Sequence, residues 1–289
     1  QVGGAMPSHI RGIDHVLIAV RELEAAARDW RRLGFVTTPY GRHVGRSTGN
    51  ACIMFPHDYL ELIGIVDETA APSQHDAVIR ARGEGLFAAA LSPSGAEQAR
   101  AAVIAAGIEA LPLRDLHRTV ERPDGPADLY FKNFDLPDAA TPDFRFFFCH
   151  HLTPEAMRHP DWLNHPNGVI GLHGIAVVSP EPARLAEAYG RLFGYGSLTE
   201  TDDVLAVHIG RHRMLFADDD DLRDMYAEVR LPPAPAAAYG AVVIFRVADP
   251  GITAACLSGS GISFARSGDS LLVRPENATG VLVEFRPER

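Results

Sequence analysis

The chain repeats itself, and that constrains its fold more than any other feature. Gly12 opens the run GIDHVLIAV, and the helical pattern after it aligns Leu23, Ala26, Ala27, Trp30 and Leu33 on one face before Gly34 and Phe35. Gly171 opens GLHGIAVV, followed by Leu185, Ala188, Tyr189 and Leu192 on one face before Gly194 and Tyr195. Placing His15 on His173 gives an offset of 173 − 15 = 158, and placing Trp30 on Tyr189 gives 189 − 30 = 159. A near-constant offset across a strand and a helix predicts a half-chain duplication.

Each half subdivides again, because the order strand, helix, three strands recurs within it. In the first module, strands are predicted near residues 14–20, 35–42, 51–55 and 59–65, where β-branched and aromatic residues lie between Gly, Pro, Asn and Asp. The second opens at residues 86–92, continues with a helix aligning Ala96, Ala99, Val103 and Ala106, and ends with strands near 117–121, 127–131 and 144–151. A third covers about 169–217, and the fourth starts at 240–247 and closes with DSLLVR and TGVLVEF. The predicted class is α+β: four βαβββ modules pairing into two curled-sheet cups. The N-terminal domain is expected over 11–151 and the C-terminal domain over 169–287. Residues 152–168, rich in Pro and Asn, read as an ordered connection, since Trp162 and Leu163 call for burial.

Composition narrows the function. Of the residues, 46% are apolar and 22% charged, which suits a globular protein with a sizeable core. The three cysteines, Cys52, Cys149 and Cys256, form neither a C-x-x-C pair nor a disulfide framework, so a reducing compartment is expected. The opening residues carry no secretory signal pattern and no apolar run approaches a bilayer span, so the expected location is cytoplasmic. A formal net charge of −10 without a Lys/Arg block argues against nucleic acid and anionic membrane as partners. A small molecule is the expected ligand, bound by a monomer or a homodimer. The glycines of GRHVGRSTGN match no phosphate loop, and no G-x-S-x-G elbow is present.

Two modules side by side would enclose a concave cavity, where a charged side chain needs a partner. Glu61 lies in the apolar strand YLELIGI, sharing a face with Tyr59 and Ile63. Its alternatives are a functional role or an ion pair to an arginine such as Arg42 or Arg46. His15 lies within the apolar first strand of the same module, as a ligand or as a histidine bonded to the backbone. Aligning FRFFFCHHLTP with TGVLVEFRP so that Pro154 matches Pro287 places His151 on Glu284, with His150 as the competitor after a one-residue slip. His15, Glu61 and His151 would form a two-histidine, one-carboxylate metal site with open positions. That set suits Fe(II) first, with Zn, Mn, Ni or Co also acceptable.

These segments, GIDHVLIAV, GRHVGRSTGN with DYLELIGI, and FFFCHHLTPE with HPNG, resemble the vicinal oxygen chelate superfamily of glyoxalases, bleomycin-resistance proteins and dioxygenases, and within it the glyoxalase-like domain proteins. The resemblance implies ligands on the first and fourth strands, hence His15, Glu61 and His151. The group's H-x-G-x-x-T-x-N pattern falls on His43, Gly45, Thr48 and Asn50, which implies that they line the pocket or shape the loop over it. There are departures. Leu86, Phe87 and Ala88 stand where a second histidine often does. His173 and Glu284 match a C-terminal site of the dioxygenase kind, but the fourth module supplies no first-strand histidine, leaving His208 or His212 as substitutes.

The leading expectation is therefore a metal-dependent dioxygenase, or glyoxalase-like lyase or isomerase, whose substrate chelates the metal through neighbouring oxygens. Glu61, His43 or Tyr59 would be the base, and Thr48, Asn50, Phe146 and Phe148 would contact substrate. The alternative is a non-catalytic binding or resistance protein with a metal-free cup, in which Phe146 and Phe148 stack on the ligand.

Overall fold

The computed structural model describes residues 7–43, 47–69, 74–201 and 203–288. Gly45 and Arg46 lie outside them. Four modules are present in the predicted order. The first comprises β1 (Ile10–Val20), a helix (Leu23–Arg32), β2 (Gly41–Arg42), β3 (Thr48–Met54) and β4 (Tyr59–Ile65). The second comprises β5 (Gly85–Pro93), a helix (Ala96–Ala105), β6 (Arg114–Arg122), β7 (Gly125–Asp135) and β8 (Arg145–His151). The third has β9 (Val169–Val178), a helix (Ala186–Phe193), β10 (Leu198–Thr201), β11 (Val204–Ile209) and β12 (His212–Ala217). The fourth has β13 (Tyr239–Val247), a helix (Pro250–Gly259), β14 (Ala265–Ser267), β15 (Ser270–Val273) and β16 (Leu282–Pro287). The strand expected at 35–42 is reduced to β2: residues 35–40 run without ladder partners, and only Gly41 and Arg42 pair, with Asn50 and Gly49.

In every module the last strand runs parallel to the first, as β4 does to β1 and β16 to β13. The first strands of paired modules run antiparallel, β1 with β5 and β9 with β13. Each half is thus an eight-stranded, curled and open sheet. A single register pair, Gly240 with Leu86, joins the two sheets. A Cβ at residue 240 would lie 2.6 Å from the Leu86 carbonyl oxygen, so the join requires glycine there.

The faces turned away from the cups carry the helices and share one core. The first helix buries Leu23, Ala26, Ala27 and Trp30, the stripe read from the sequence. Trp30 reaches into the other half, donating to the Thr279 hydroxyl at 3.0 Å and meeting Phe245 edge-on. Tyr189 and Phe193 likewise meet Phe146. Between the halves lies a buried polar link. His212 Nδ1 accepts from the Ile13 N–H at 3.0 Å, so its Nε2 carries the proton and donates to Asp58 at 3.0 Å; Asp58 also accepts from the Leu172 N–H at 2.9 Å. Residues 152–168 are ordered as expected: Trp162 is buried, and His165 ties the Val36 N–H to the Met54 carbonyl. No helix among the described residues is long and apolar enough to cross a membrane.

The registers correct two sequence alignments. His15 is the partner of Ala90 and Gly174 the partner of Ile244, so position 15 corresponds to 174, and the offset 174 − 15 = 159 equals that of the helices. His173 then corresponds to Asp14, each being the residue skipped at a β-bulge. Ala90 pairs with Phe147 and Ile244 with Glu284, so Phe147, and not His151, occupies the place equivalent to Glu284. The match of Pro154 to Pro287 failed because Pro287 is the last residue of β16, paired with Val247, whereas Pro154 lies beyond the end of β8.

Candidate functional site

The N-terminal cup encloses a cavity of about 190 Å³ into which β1, β4 and β8 present alternate residues: His15 and Leu17, then Tyr59, Glu61 and Ile63, then Arg145, Phe147 and Cys149. The alternation read for β4 is therefore the observed one. On β8 it is reversed. Phe146 and Phe148 are fully buried on the helix side, Phe148 stacked on Phe134, and Phe147 faces the cup instead, edge-on to His15. Phe146 and Phe148, expected to face the substrate, therefore do not line the cavity, and Phe147 does.

Three potential ligands converge inside. His15 Nε2 lies 3.4 Å from Glu61 Oε2, and His43 Nε2 lies 3.9 Å from Glu61 Oε1. Each is held by an outer partner. The Asp14 carboxylate takes the Nδ1 side of His15 at 2.7 Å, Thr48 Oγ1 takes the Nδ1 side of His43 at 2.8 Å, and Asn50 Nδ2 donates to Glu61 Oε1 at 2.7 Å. His15 Nε2 and Glu61 Oε2 therefore face each other inside the cup, and either a proton on Nε2 or a cation between the two atoms satisfies them. Two ligands at about 2.1 Å from a tetrahedral ion stand about 3.4 Å apart, which is the His15–Glu61 separation. A donor set of two imidazoles and one carboxylate, each with an outer hydrogen bond, is of the kind that takes a divalent ion, although among the described residues it is Asp14, His15 and Cys149 that bring all three ligand atoms within 4.8 Å of one another.

Thr48 and Asn50 are buried and spend their polar atoms on His43 and Glu61, so the T-x-N part of the pattern sets the site's geometry from behind. His151 is not among the residues lining this cavity. Its Nδ1 accepts from the Thr153 N–H, its ring packs on Phe131, and its buried Nε2 has no partner; burial pushes it down to about 4. His150 points to the helix side, where its Nδ1 accepts from the Ala96 N–H. A second cluster shares His15: Asp14, His15 and Cys149 bring one ligand atom each within 4.8 Å of one another. There burial, then the Asp14 and Glu61 carboxylates, raise the Cys149 thiol well above its usual range, so it stays protonated unless a cation is bound.

Burial alone would raise Glu61, but His15, His43, Arg118 and the Asn50 hydrogen bond outweigh it and hold the carboxyl below its usual range. It is ionised at neutral pH. Burial and the Asp14 charge keep Tyr59 a neutral phenol well above its ordinary range; it stacks on His15 at 4.3 Å and is no base near neutrality. The arginine beside Glu61 is Arg118, half-buried on β6 with its guanidinium over Phe131. Sequence reasoning missed it because RDLHRTVER alternates like a solvated edge strand. Arg114 and Arg145, both bonded to Asp135, also line the cavity.

Comparison with known proteins places this geometry. A family model described as "Glyoxalase-like domain" matches residues 13–193, more than half of the chain. No curated protein matches. Among solved structures, a hypothetical protein from Staphylococcus aureus superposes with a TM-score of 0.65 at 10% identity, covering 96% of this chain and 99% of that one. A triple mutant of 4-hydroxymandelate synthase from Streptomyces coelicolor gives 0.64 at 14% identity, covering 96% and 93%. A fusion of a xylose isomerase-like TIM barrel with 4-hydroxyphenylpyruvate dioxygenase gives 0.60 at 13% identity, covering 98% of this chain and 50% of the fusion. At these identities the likeness is one of fold.

Proposed function

Because the chain belongs to the glyoxalase-like domain family of the vicinal oxygen chelate superfamily, we propose that it is a metal-dependent enzyme acting on a small organic substrate with two neighbouring oxygens, and that His15, His43 and Glu61 are the protein ligands. The observation that supports this reading is the pairing of each ligand with its own outer partner, Asp14, Thr48 and Asn50. Such outer contacts fix tautomer and ring orientation. His43 takes the role that the sequence had assigned to His151. Bound there, a divalent ion supplies Lewis acidity to the chelating oxygens, and Fe(II) adds oxygen chemistry.

The side chains around the ligands do the rest. Arg118, with Arg114 and Arg145 behind it, gives one wall of the cavity a positive character suited to a substrate carrying an anionic oxygen. Phe147 and Leu17 exclude water beside His15. Glu61, an ionised carboxylate lining the cavity, and His43, a partly exposed imidazole beside it, can each receive a proton from carbon or oxygen. With Fe(II) this assembly suits dioxygenase chemistry; with Zn, Ni, Mn or Co it suits isomerase or lyase chemistry.

The second reading is a binding protein in which Arg118 alone compensates Glu61. Elemental analysis of protein purified without a histidine tag separates the two. Near-stoichiometric transition metal in the wild type, lost in Glu61→Gln and His43→Gln, supports the enzyme, and assays on catechols and on thiol hemithioacetals then assign its class. Metal at trace level after reconstitution with Fe(II), Zn(II) and Co(II) in turn supports the binding protein.

A further inference from the structure

The C-terminal cup repeats the architecture of the first but not its chemistry. Its cavity is about 1030 Å³. At its floor the Glu284 carboxylate is buried and fully engaged. Tyr226 donates to Oε2 at 2.9 Å and Ser270 to Oε1 at 2.8 Å. Arg286 donates through Nε to Oε1 at 2.8 Å and through Nη2 to Oε2 at 3.1 Å. The remaining Nη1 of Arg286 donates to His173 Nε2 at 3.2 Å. Burial, and then the charges of Arg286 and Arg246, push His173 down to about 4, so the ring is a neutral acceptor. A guanidinium therefore already stands between the imidazole and the carboxylate. A divalent ion would have to displace those bonds and sit against a fixed positive charge, so this cup's residues do not fit a metal.

Four arginines line the cup together with three carboxylates, Asp269, Glu284 and Glu288. Arg213 on β12, Arg246 on β13 and Arg286 on β16 face inward, and Arg211 stands at the rim. Arg246 and Arg286 are register partners on adjacent strands, a like-charge juxtaposition that weakens a sheet unless something compensates it. Arg286 has Glu284, while Arg246 donates through Nη1 to the Arg211 carbonyl at 3.0 Å and approaches the Asp58 carboxylate at 3.9 Å. Arg213 is exposed to the cavity. Four arginines around one cavity of a chain with net charge −10 are a local arrangement, not a reflection of composition.

We infer that the C-terminal cup is a metal-independent binding site for a small organic carboxylate, with Arg286 standing as the resident cation between His173 and Glu284, and Arg213 and Arg246 receiving the anionic group. The sites of the two halves thus differ in kind: one is built around acceptors that call for a cation, the other around donors that call for an anion.

The test is calorimetric titration of chelator-treated, full-length protein with succinate and with phthalate at fixed ionic strength. Binding of at least one dicarboxylate is expected, unchanged in Glu61→Gln and weakened about tenfold or more in Arg213→Gln, the loss of a charge-assisted contact. Arg213 is exposed, so this variant is expected to fold, and circular dichroism checks it. Failure of both probes to bind the wild type, or affinities in Arg213→Gln within twofold of the wild type, overturns the inference. So does Co(II) that binds the wild type and is lost in Glu284→Gln. None of these outcomes depends on whether the first cup is catalytic.

Discussion

Asp14→Asn isolates the contribution of an outer partner to the site. The Asp14 carboxylate is buried and bonds His15 Nδ1 at 2.7 Å, which fixes a proton on Nδ1 and keeps Nε2 as the nitrogen available to a metal ion beside Glu61. An asparagine is nearly isosteric, so packing is conserved. It no longer demands a proton from Nδ1, and its amide can instead donate to that nitrogen. The proton then moves to Nε2, the nitrogen 3.4 Å from Glu61 Oε2, and blocks the ligand position. Loss of such an outer carboxylate typically weakens metal affinity 10–100-fold, about 1.4–2.7 kcal/mol. Competition titration against a chromophoric chelator, with Co(II) or Zn(II), measures this directly, and urea unfolding of the metal-free proteins should show a much smaller difference between the two. Affinity of Asp14→Asn within twofold of the wild type would refute the tautomer argument. A large loss of stability without metal would show that Asp14 matters for folding instead.

Three further outcomes follow. Asp58→Ala strips the partners from the Leu172 N–H and from His212 Nε2 in the buried link between the halves, and should cost about 3 kcal/mol or more in chemical denaturation, since it leaves buried donors unpaired; a cost below about 1 kcal/mol contradicts that role. Burial holds His151 and His173 at about 4 against an ordinary 6.5, so as pH falls the unfolded chain takes up protons that the native chain refuses. Stability should therefore decline as pH drops below about 6.5, with the histidine contribution to that decline ending below about 4; equal urea midpoints at pH 7 and pH 4.5 would contradict this, and His151→Gln should shrink the difference. Gly174→Ala should fail to fold or unfold well below the wild-type temperature, because a Cβ there would lie 1.7 Å from the Arg213 carbonyl oxygen; a normal melting temperature would show that β9 and β12 are not packed this closely.

The glycine at 174 also explains part of what the sequence could and could not convey. Duplication exposed the modules, because a helix stripe and a strand start recurred at matching distances. It could not reveal that a bulge skips Asp14 in one half and His173 in the other, since both strands are buried on both faces and offer no alternation whose phase a bulge could shift. His15 was therefore set against His173, although its counterpart is Gly174, where no side chain fits. Glu61 was legible because it is a charge within an apolar strand. On β8, RFFFCHH is aromatic on both faces, so alternation gave no way to choose between Phe146 with Phe148 and Phe147, or to see that His151 ends outside the cup. Thr48 and Asn50 were expected to contact substrate, and only side-chain geometry reveals that they bond His43 and Glu61.

Cobalt substitution tests the centre of the account. Loaded with Co(II), the wild-type protein is expected to show the weak visible bands of an ion bound by imidazole and carboxylate, with no intense near-ultraviolet thiolate transition, and to lose them in His43→Gln and Glu61→Gln but not in Cys149→Ser. A strong thiolate band that disappears in Cys149→Ser and persists in His43→Gln would place the ion at Asp14, His15 and Cys149 instead, and would contradict the ligand set on which the proposed chemistry stands.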